Sequence, residues 1–121
     1  IYLGTKQAGA FRSLTGGSTW EAINSGLPTG SRFAVTALAV DPSNANQVYI
    51  TLAKAEASQI PLTPLGIFQS MDGGNSWAPL TPWNVDYVTT RLVIDSGTPG
   101  YLFGLTEAGA WQYPLNADNR Q

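Results

Sequence analysis

Apolar and polar residues along this 121-residue chain change places in short runs. Ile1-Tyr2-Leu3, Val48-Tyr49-Ile50, Leu92-Val93-Ile94 and Tyr101-Leu102-Phe103 are rich in β-branched and aromatic side chains, and Gly, Pro, Asn and Asp separate them. Runs of about four to eight such residues between turn formers predict β-strands. No window of about ten residues carries a 3.6-residue apolar period, so no helix is predicted. The strands are expected at 1–5, 9–14 and 19–23, then 35–41, 47–53, 66–71 and 76–80, then 89–95, 100–105 and 109–113.

The runs repeat. Gly9-Ala10-Phe11-Arg12-Ser13-Leu14-Thr15-Gly16-Gly17-Ser18-Thr19-Trp20 lies over Gly66-Ile67-Phe68-Gln69-Ser70-Met71-Asp72-Gly73-Gly74-Asn75-Ser76-Trp77, 57 residues on. A third copy begins 43 residues later as Gly109-Ala110-Trp111-Gln112-Tyr113 and leaves the pattern at Pro114. Thr36-Ala37-Leu38-Ala39-Val40-Asp41-Pro42 likewise resembles Thr90-Arg91-Leu92-Val93-Ile94-Asp95-Ser96. With the strands of one unit named a to d, the chain reads b-c-d, a-b-c-d, a-b-c, about two and a half units of a repeat.

The segment from Ser70 to Trp77 has a physical logic. An Asp at the start of a tight turn accepts backbone N–H groups further round it. Gly73 and Gly74 tolerate positive φ there. Ser70 adds a side-chain bond, and the Trp77 ring can pack back over the turn.

Ser70, Asp72, Gly74 and Trp77 match in full the Asp-box, or bacterial neuraminidase repeat, which this chain resembles over most of residues 1–115. The earlier copy keeps Ser13, Gly17 and Trp20 but has Thr15 at the Asp position, and the third unit has no box. The resemblance implies an all-β fold of four-stranded antiparallel blades of a β-propeller, with the box in the turn between strands c and d. Sialidases, xyloglucan-degrading hydrolases and sortilin-type receptors carry such blades. In that family the box is structural and lies away from the active site, so Asp72 reads as a turn former and not as a catalytic acid. Asp41 and Asp95, each at the end of a first strand, read as turn chemistry as well.

Blades of about 40–50 residues close a propeller only when about four to eight are present. Blade parts at 1–23, 35–80 and 89–113, followed by a polar tail at 116–121, fall short of that. The chain also opens inside an apolar run with no signal-peptide pattern before it. The expectation is an incomplete propeller. It is a fragment of a larger one, or its copies close a ring, or partners cover its open strand edges. A self-sufficient small sandwich is the remaining alternative.

Consecutive antiparallel strands put the b–c and d–a connections at one end and the a–b and c–d turns at the other. The long connections, at 24–34, 54–65 and 81–88, all fall at the first end. Long loops on a rigid scaffold are where recognition usually sits. The binding candidates there are Arg32, Phe33, Gln59, Trp83, Asn84 and Tyr87. Trp83 and Tyr87 can stack on sugar rings or anchor a protein partner. Alternatively they cover the seam between blades.

Composition then narrows the chemistry. There is no His and no Cys, which removes His-based triads, thiol chemistry, disulfides and zinc sites built on those ligands. Six basic against eight acidic residues leave a formal charge of −2, without the basic footprint that nucleic acid or an anionic membrane surface requires. No apolar run approaches the ~18 residues of a membrane-spanning helix. No acidic cluster suggests a metal, and no cofactor is expected. A sialidase, by the resemblance, would need three arginines around a carboxylate. The four here, at 12, 32, 91 and 120, do not support such a triad, since Arg12 sits in a third strand and Arg120 in the tail. A glycosidase needs two carboxyl groups ~5–10 Å apart; the only loop pair to nominate is Asp86 with Glu107.

The favoured reading is a non-catalytic module that contacts protein, further copies of itself or carbohydrate through its loop face and open strand edges. The alternative is a fragment of a propeller glycoside hydrolase whose catalytic residues lie mostly outside this chain. The absence of cysteine does not choose a compartment; the expectation is an extracytoplasmic one, whether secreted, periplasmic or cell-surface.

Overall fold

The computed structural model describes residues 1–6, 8–27, 33–54, 63–80, 87–95 and 100–115. Among them are ten strands and no helix. Strands β1 (Tyr2–Gly4), β2 (Ala10–Arg12) and β3 (Glu21–Ala22) form the first sheet. The second is β4 (Phe33–Val40), β5 (Val48–Lys54), β6 (Thr63–Ser70) and β7 (Ala78–Pro79). The third is β8 (Thr89–Asp95), β9 (Gly100–Thr106) and β10 (Gly109–Leu115). Neighbours in sequence are neighbours in each sheet, and every pairing is antiparallel.

All ten strands fall where the apolar runs predict them, with shifted ends. Two shifts have a physical cause. Strand β6 begins at Thr63, before Gly66, although Pro64 lacks an N–H. A register irregularity between Leu52 and Ala53 accommodates it, with Gly66 at φ 111°. Strand β10 runs through Pro114 to Leu115 because it pairs only with β9, so the missing N–H of Pro114 interrupts no second ladder.

The three sheets stack face to face, and the alternation of β5 shows how. Val48, Ile50 and Leu52 point to the first sheet and join a core with Ala10, Ile23, Leu27, Phe33, Phe68 and Trp77. Tyr49 points the other way, into a second core with Ile67, Leu80, Leu92, Leu102, Tyr113 and Leu115. The middle sheet is therefore buried on both sides, and every residue of β5 up to Ala53 is buried. Full burial of one such aliphatic side chain stabilises by about 1.5–3 kcal/mol.

Three indole and hydroxyl donors are placed where the sheets meet. The Trp77 indole Nε1–H donates to the carbonyl of Ile23 at 2.6 Å, tying the second sheet to the first. Trp77 thus packs between sheets instead of folding back over its own turn. Between the second and third sheets, Thr51 donates to the Thr89 carbonyl at 3.4 Å, and within the third Trp111 Nε1–H donates to Thr89 Oγ1 at 3.1 Å.

Ile50→Ala is expected to lower the unfolding free energy by about 2–5 kcal/mol, as large-to-small core changes do. It should appear as a lower urea midpoint at unchanged slope. Trp77→Phe, which keeps most of the packing but orphans the Ile23 carbonyl, should cost about 1–3 kcal/mol in the same assay.

Candidate functional site

Two ends of the stack have different chemistry. One end carries the β2–β3, β4–β5 and β6–β7 turns. In the β6–β7 turn the Gly74 N–H donates to Ser70 Oγ at 2.8 Å, and Ser70 Oγ–H donates to Asp72 Oδ1 at 2.8 Å. Asp72 accepts from the Ser76 N–H at 3.0 Å through Oδ1 and from the Ser76 hydroxyl at 2.7 Å through Oδ2. These bonds, from Ser76 first and Ser70 next, hold the Asp72 carboxyl below its ordinary pKa of 3.8. Gly73 and Gly74 take φ of 71° and 92°, the left-handed region that a side chain would strain.

The β2–β3 turn reproduces this network without an acid. Gly17 N–H donates to Ser13 Oγ at 2.8 Å, and Thr19 N–H donates to Thr15 Oγ1 at 2.9 Å. The hydroxyls of Thr15 and Thr19 are 2.9 Å apart and hydrogen-bonded. Thr15 therefore does for this turn what Asp72 does for the other, and Thr19 takes the place of Ser76. The Trp20 indole donates to Gly17 within its own turn, at 3.1 Å.

Other residues lock this end across the sheets. Arg12 bonds Glu21 through Nε at 2.6 Å and the Gly73 carbonyl of the second sheet at 2.7 Å. The Tyr2 hydroxyl donates to the Ala45 carbonyl at 3.0 Å. Asp41 is buried and accepts the N–H and hydroxyl of Ser43 at 2.9 and 2.7 Å, fixing the β4–β5 turn. A shallow depression of about 310 Å³ lies here, lined by Tyr2, Arg12, Asn46 and Asp72 among others. Its two charged side chains, Arg12 and Asp72, are engaged by Gly73, Glu21 and the two serines.

At the opposite end lie the β1–β2 and β9–β10 turns, the starts of β4, β6 and β8 and the ends of β3 and β5. The short β1–β2 and β9–β10 turns share one device. Thr5 and Thr106 donate through Oγ1 to the carbonyls of Gly9 and Gly109, at 2.7 and 2.9 Å, and accept the N–H groups of Ala8 and Ala108. Tyr87 is exposed just before β8, and Glu107 is exposed in the β9–β10 turn. The pairing of Thr89 with Thr106 brings both to the same end of the third sheet. Phe33 is the first residue of β4, and its ring is buried between the first two sheets, so it packs the core and offers nothing to a ligand at this face. Arg32, Gln59, Trp83, Asn84 and Asp86, expected here, lie outside the described residues, as does the tail at 116–121.

Comparisons with family models, curated proteins and solved structures gave no match.

Among the described residues no group of three or more acidic side chains could hold a metal ion, and no helix is long and apolar enough to cross a membrane. Arg12, Thr15 and Thr19 carry structural roles that composition does not single out. The spacing of Thr15 and Thr19, equal to that of Asp72 and Ser76, is the signal that finds two of them.

Because Asp72 titrates lower in the folded chain, its contribution to stability is present above pH 3.8 and is lost as pH falls through the lower, folded-state value. Asp72→Asn should weaken the protein at neutral pH and flatten the fall in stability below about pH 4, read from urea midpoints across pH. Thr15→Asp should add a second acid-sensitive step of the same sign.

Proposed function

We propose that the three sheets are blades of an Asp-box β-propeller and that the chain is a non-catalytic binding and assembly module. The observation that carries this reading is the recurrence of one hydrogen-bonded turn, with corresponding side chains, on two sheets stacked in the same sense. A turn repeated in that way marks a repeat unit, and units of this size that bury both faces against neighbours build radial or linear arrays. In this arrangement β4 and β8, which pack on each other across the second interface, are the inner strands.

The turn end is occupied by its own hydrogen bonds, which leaves the opposite end for recognition. Tyr87 presents an exposed ring there, and the sequence places Trp83 and Asn84 in the connection immediately before it. An aromatic face with neighbouring amide groups suits a sugar ring or a protein loop. Partners at this end are therefore protein or carbohydrate, in an extracytoplasmic setting, and open strand edges supply further contact.

The test is a panel of sialylated and xyloglucan oligosaccharides together with immobilised candidate proteins. The wild-type chain is expected to bind a member of the panel without releasing product from any glycan. Tyr87→Ala should weaken that binding by about tenfold, roughly 1.4 kcal/mol, while leaving the urea midpoint unchanged. Hydrolysis that disappears in an Asp86→Asn, Glu107→Gln double variant would instead assign a propeller glycoside hydrolase.

A further inference from the structure

We infer that the chain associates with further copies of itself head to tail, the outward face of the third sheet of one copy packing on the outward face of the first sheet of the next. The inference rests on the blade reading above and names one partner for it.

Strand register makes the sheets comparable position by position. Leu3 pairs with Phe11 in the first sheet, and Ile50 pairs with Phe68 in the second. Leu3 therefore corresponds to Ile50, Phe11 to Phe68 and, through the repeated turn, Trp20 to Trp77. Ile50, Phe68 and Trp77 belong to the core between the first two sheets, and Ile50 and Trp77 are 0% and 5% exposed. Leu3 and Trp20, with the same placement and character, are 47% and 42% exposed.

The third sheet gives the mirror case. Phe103 pairs with Val93 and Gln112, as Tyr49 pairs with Ala39 and Gln69. Leu105 pairs with Arg91 and Ala110, as Thr51 pairs with Ala37 and Ile67. Tyr49 and Thr51 are covered on the side where the third sheet packs, and both are buried. Leu105, in the place of Thr51, brings a larger apolar side chain and is 45% exposed, and Val93, in the place of Ala39 beside Phe103, is 46% exposed.

Each internal interface joins one kind of face to the other. The side of the first sheet bearing Tyr2 and Ala10 meets the side of the second bearing Ile50 and Trp77. The side of the second bearing Tyr49 and Ile67 meets the side of the third bearing Leu92 and Leu102. The outward face of the third sheet is of the Tyr49 kind, and the outward face of the first is of the Ile50 kind. They are the two halves of an interface this chain forms twice, held at opposite ends of the stack so that one copy cannot join them. A second copy can. Such contact between unlike patches is heterologous and closes into a ring when the rotation permits. Two copies bring six sheets, three from each, inside the range of about four to eight that close a propeller.

Sedimentation equilibrium over a range of concentrations is the test. The wild-type chain should show a mass above the 12.9 kDa of one copy. Leu3→Lys and Leu105→Lys change exposed residues on opposite faces and should leave thermal unfolding as cooperative as in the wild type. Each alone should be monomeric. An equimolar mixture should recover a two-copy species, because the intact third sheet of the Leu3→Lys copy meets the intact first sheet of the Leu105→Lys copy. A monomeric wild type at every concentration would overturn the inference. So would one variant assembling as fully as the wild type, since that means a face meeting itself. Panel binding by the wild type is measured in parallel. A monomer that binds overturns self-association alone, whereas an assembled chain that binds nothing supports self-association and removes the recognition reading.

Discussion

A β-sheet buried on both faces cannot be amphipathic, and the middle sheet of this protein is buried on both faces. That constraint organises the molecule. Strand β5 meets it with an unbroken run, Val48-Tyr49-Ile50-Thr51-Leu52-Ala53, in which successive side chains are handed to opposite neighbours. Continuous apolar strands are more typical of sheets covered on each side than of surface sheets. Of the two residues in the run that carry a hydroxyl, Thr51 bonds Thr36 and Thr89, and the Tyr49 ring is enclosed beside Ile67 and Leu80. Once β5 is fixed, the sheets on either side must present apolar faces to it, and the turns at each end follow from chain direction.

Strand existence was legible because alternation and turn residues agreed at almost every boundary. What escaped the sequence depended on three-dimensional neighbours. Phe33 follows a Gly/Pro/Ser-rich connection and reads as a loop residue, yet the opposing Lys54 and the space between two sheets draw it into β4 and the core. Pro64 argues locally against a strand, but the irregular register at Leu52 and Ala53 accommodates it. Trp77 sits where its ring can close over its own turn. The carbonyl of Ile23, a residue 54 positions away, offers its indole N–H a buried acceptor, and that partner wins. None of these outcomes is encoded within a window of ten residues.

The two repeated turns show what the motif has to supply. Asp72 provides two oxygens and a charge, while Thr15 provides one hydroxyl, yet both accept the backbone N–H four residues on and both receive support from the serine two residues before. The shared requirement is an acceptor at that point of the turn, with two glycines at positive φ beside it. Charge is an addition that makes one turn sensitive to acid. Each carboxylate oxygen of Asp72 is engaged by Ser76 or Ser70, so its hydrogen bonds hold the turn together.

Exposure by itself says little about a surface, since single apolar side chains are common in solvent. The repeat supplies its own control. Leu14 and Met71 occupy the same place in the two turns, and both are exposed, so exposure there belongs to the turn. Trp20 and Trp77 also occupy the same place, but Trp77 is buried against the first sheet and bonds Ile23 there, while Trp20, with no described sheet on that side, is exposed and bonds Gly17 of its own turn. In the same way Leu3 is exposed and Ile50 is buried. Side chains chosen for burial at one position of a repeat and left in water at its equivalent are better understood as one half of a contact than as scattered surface hydrophobicity, because the other half is present in the same chain, on the far side of the third sheet.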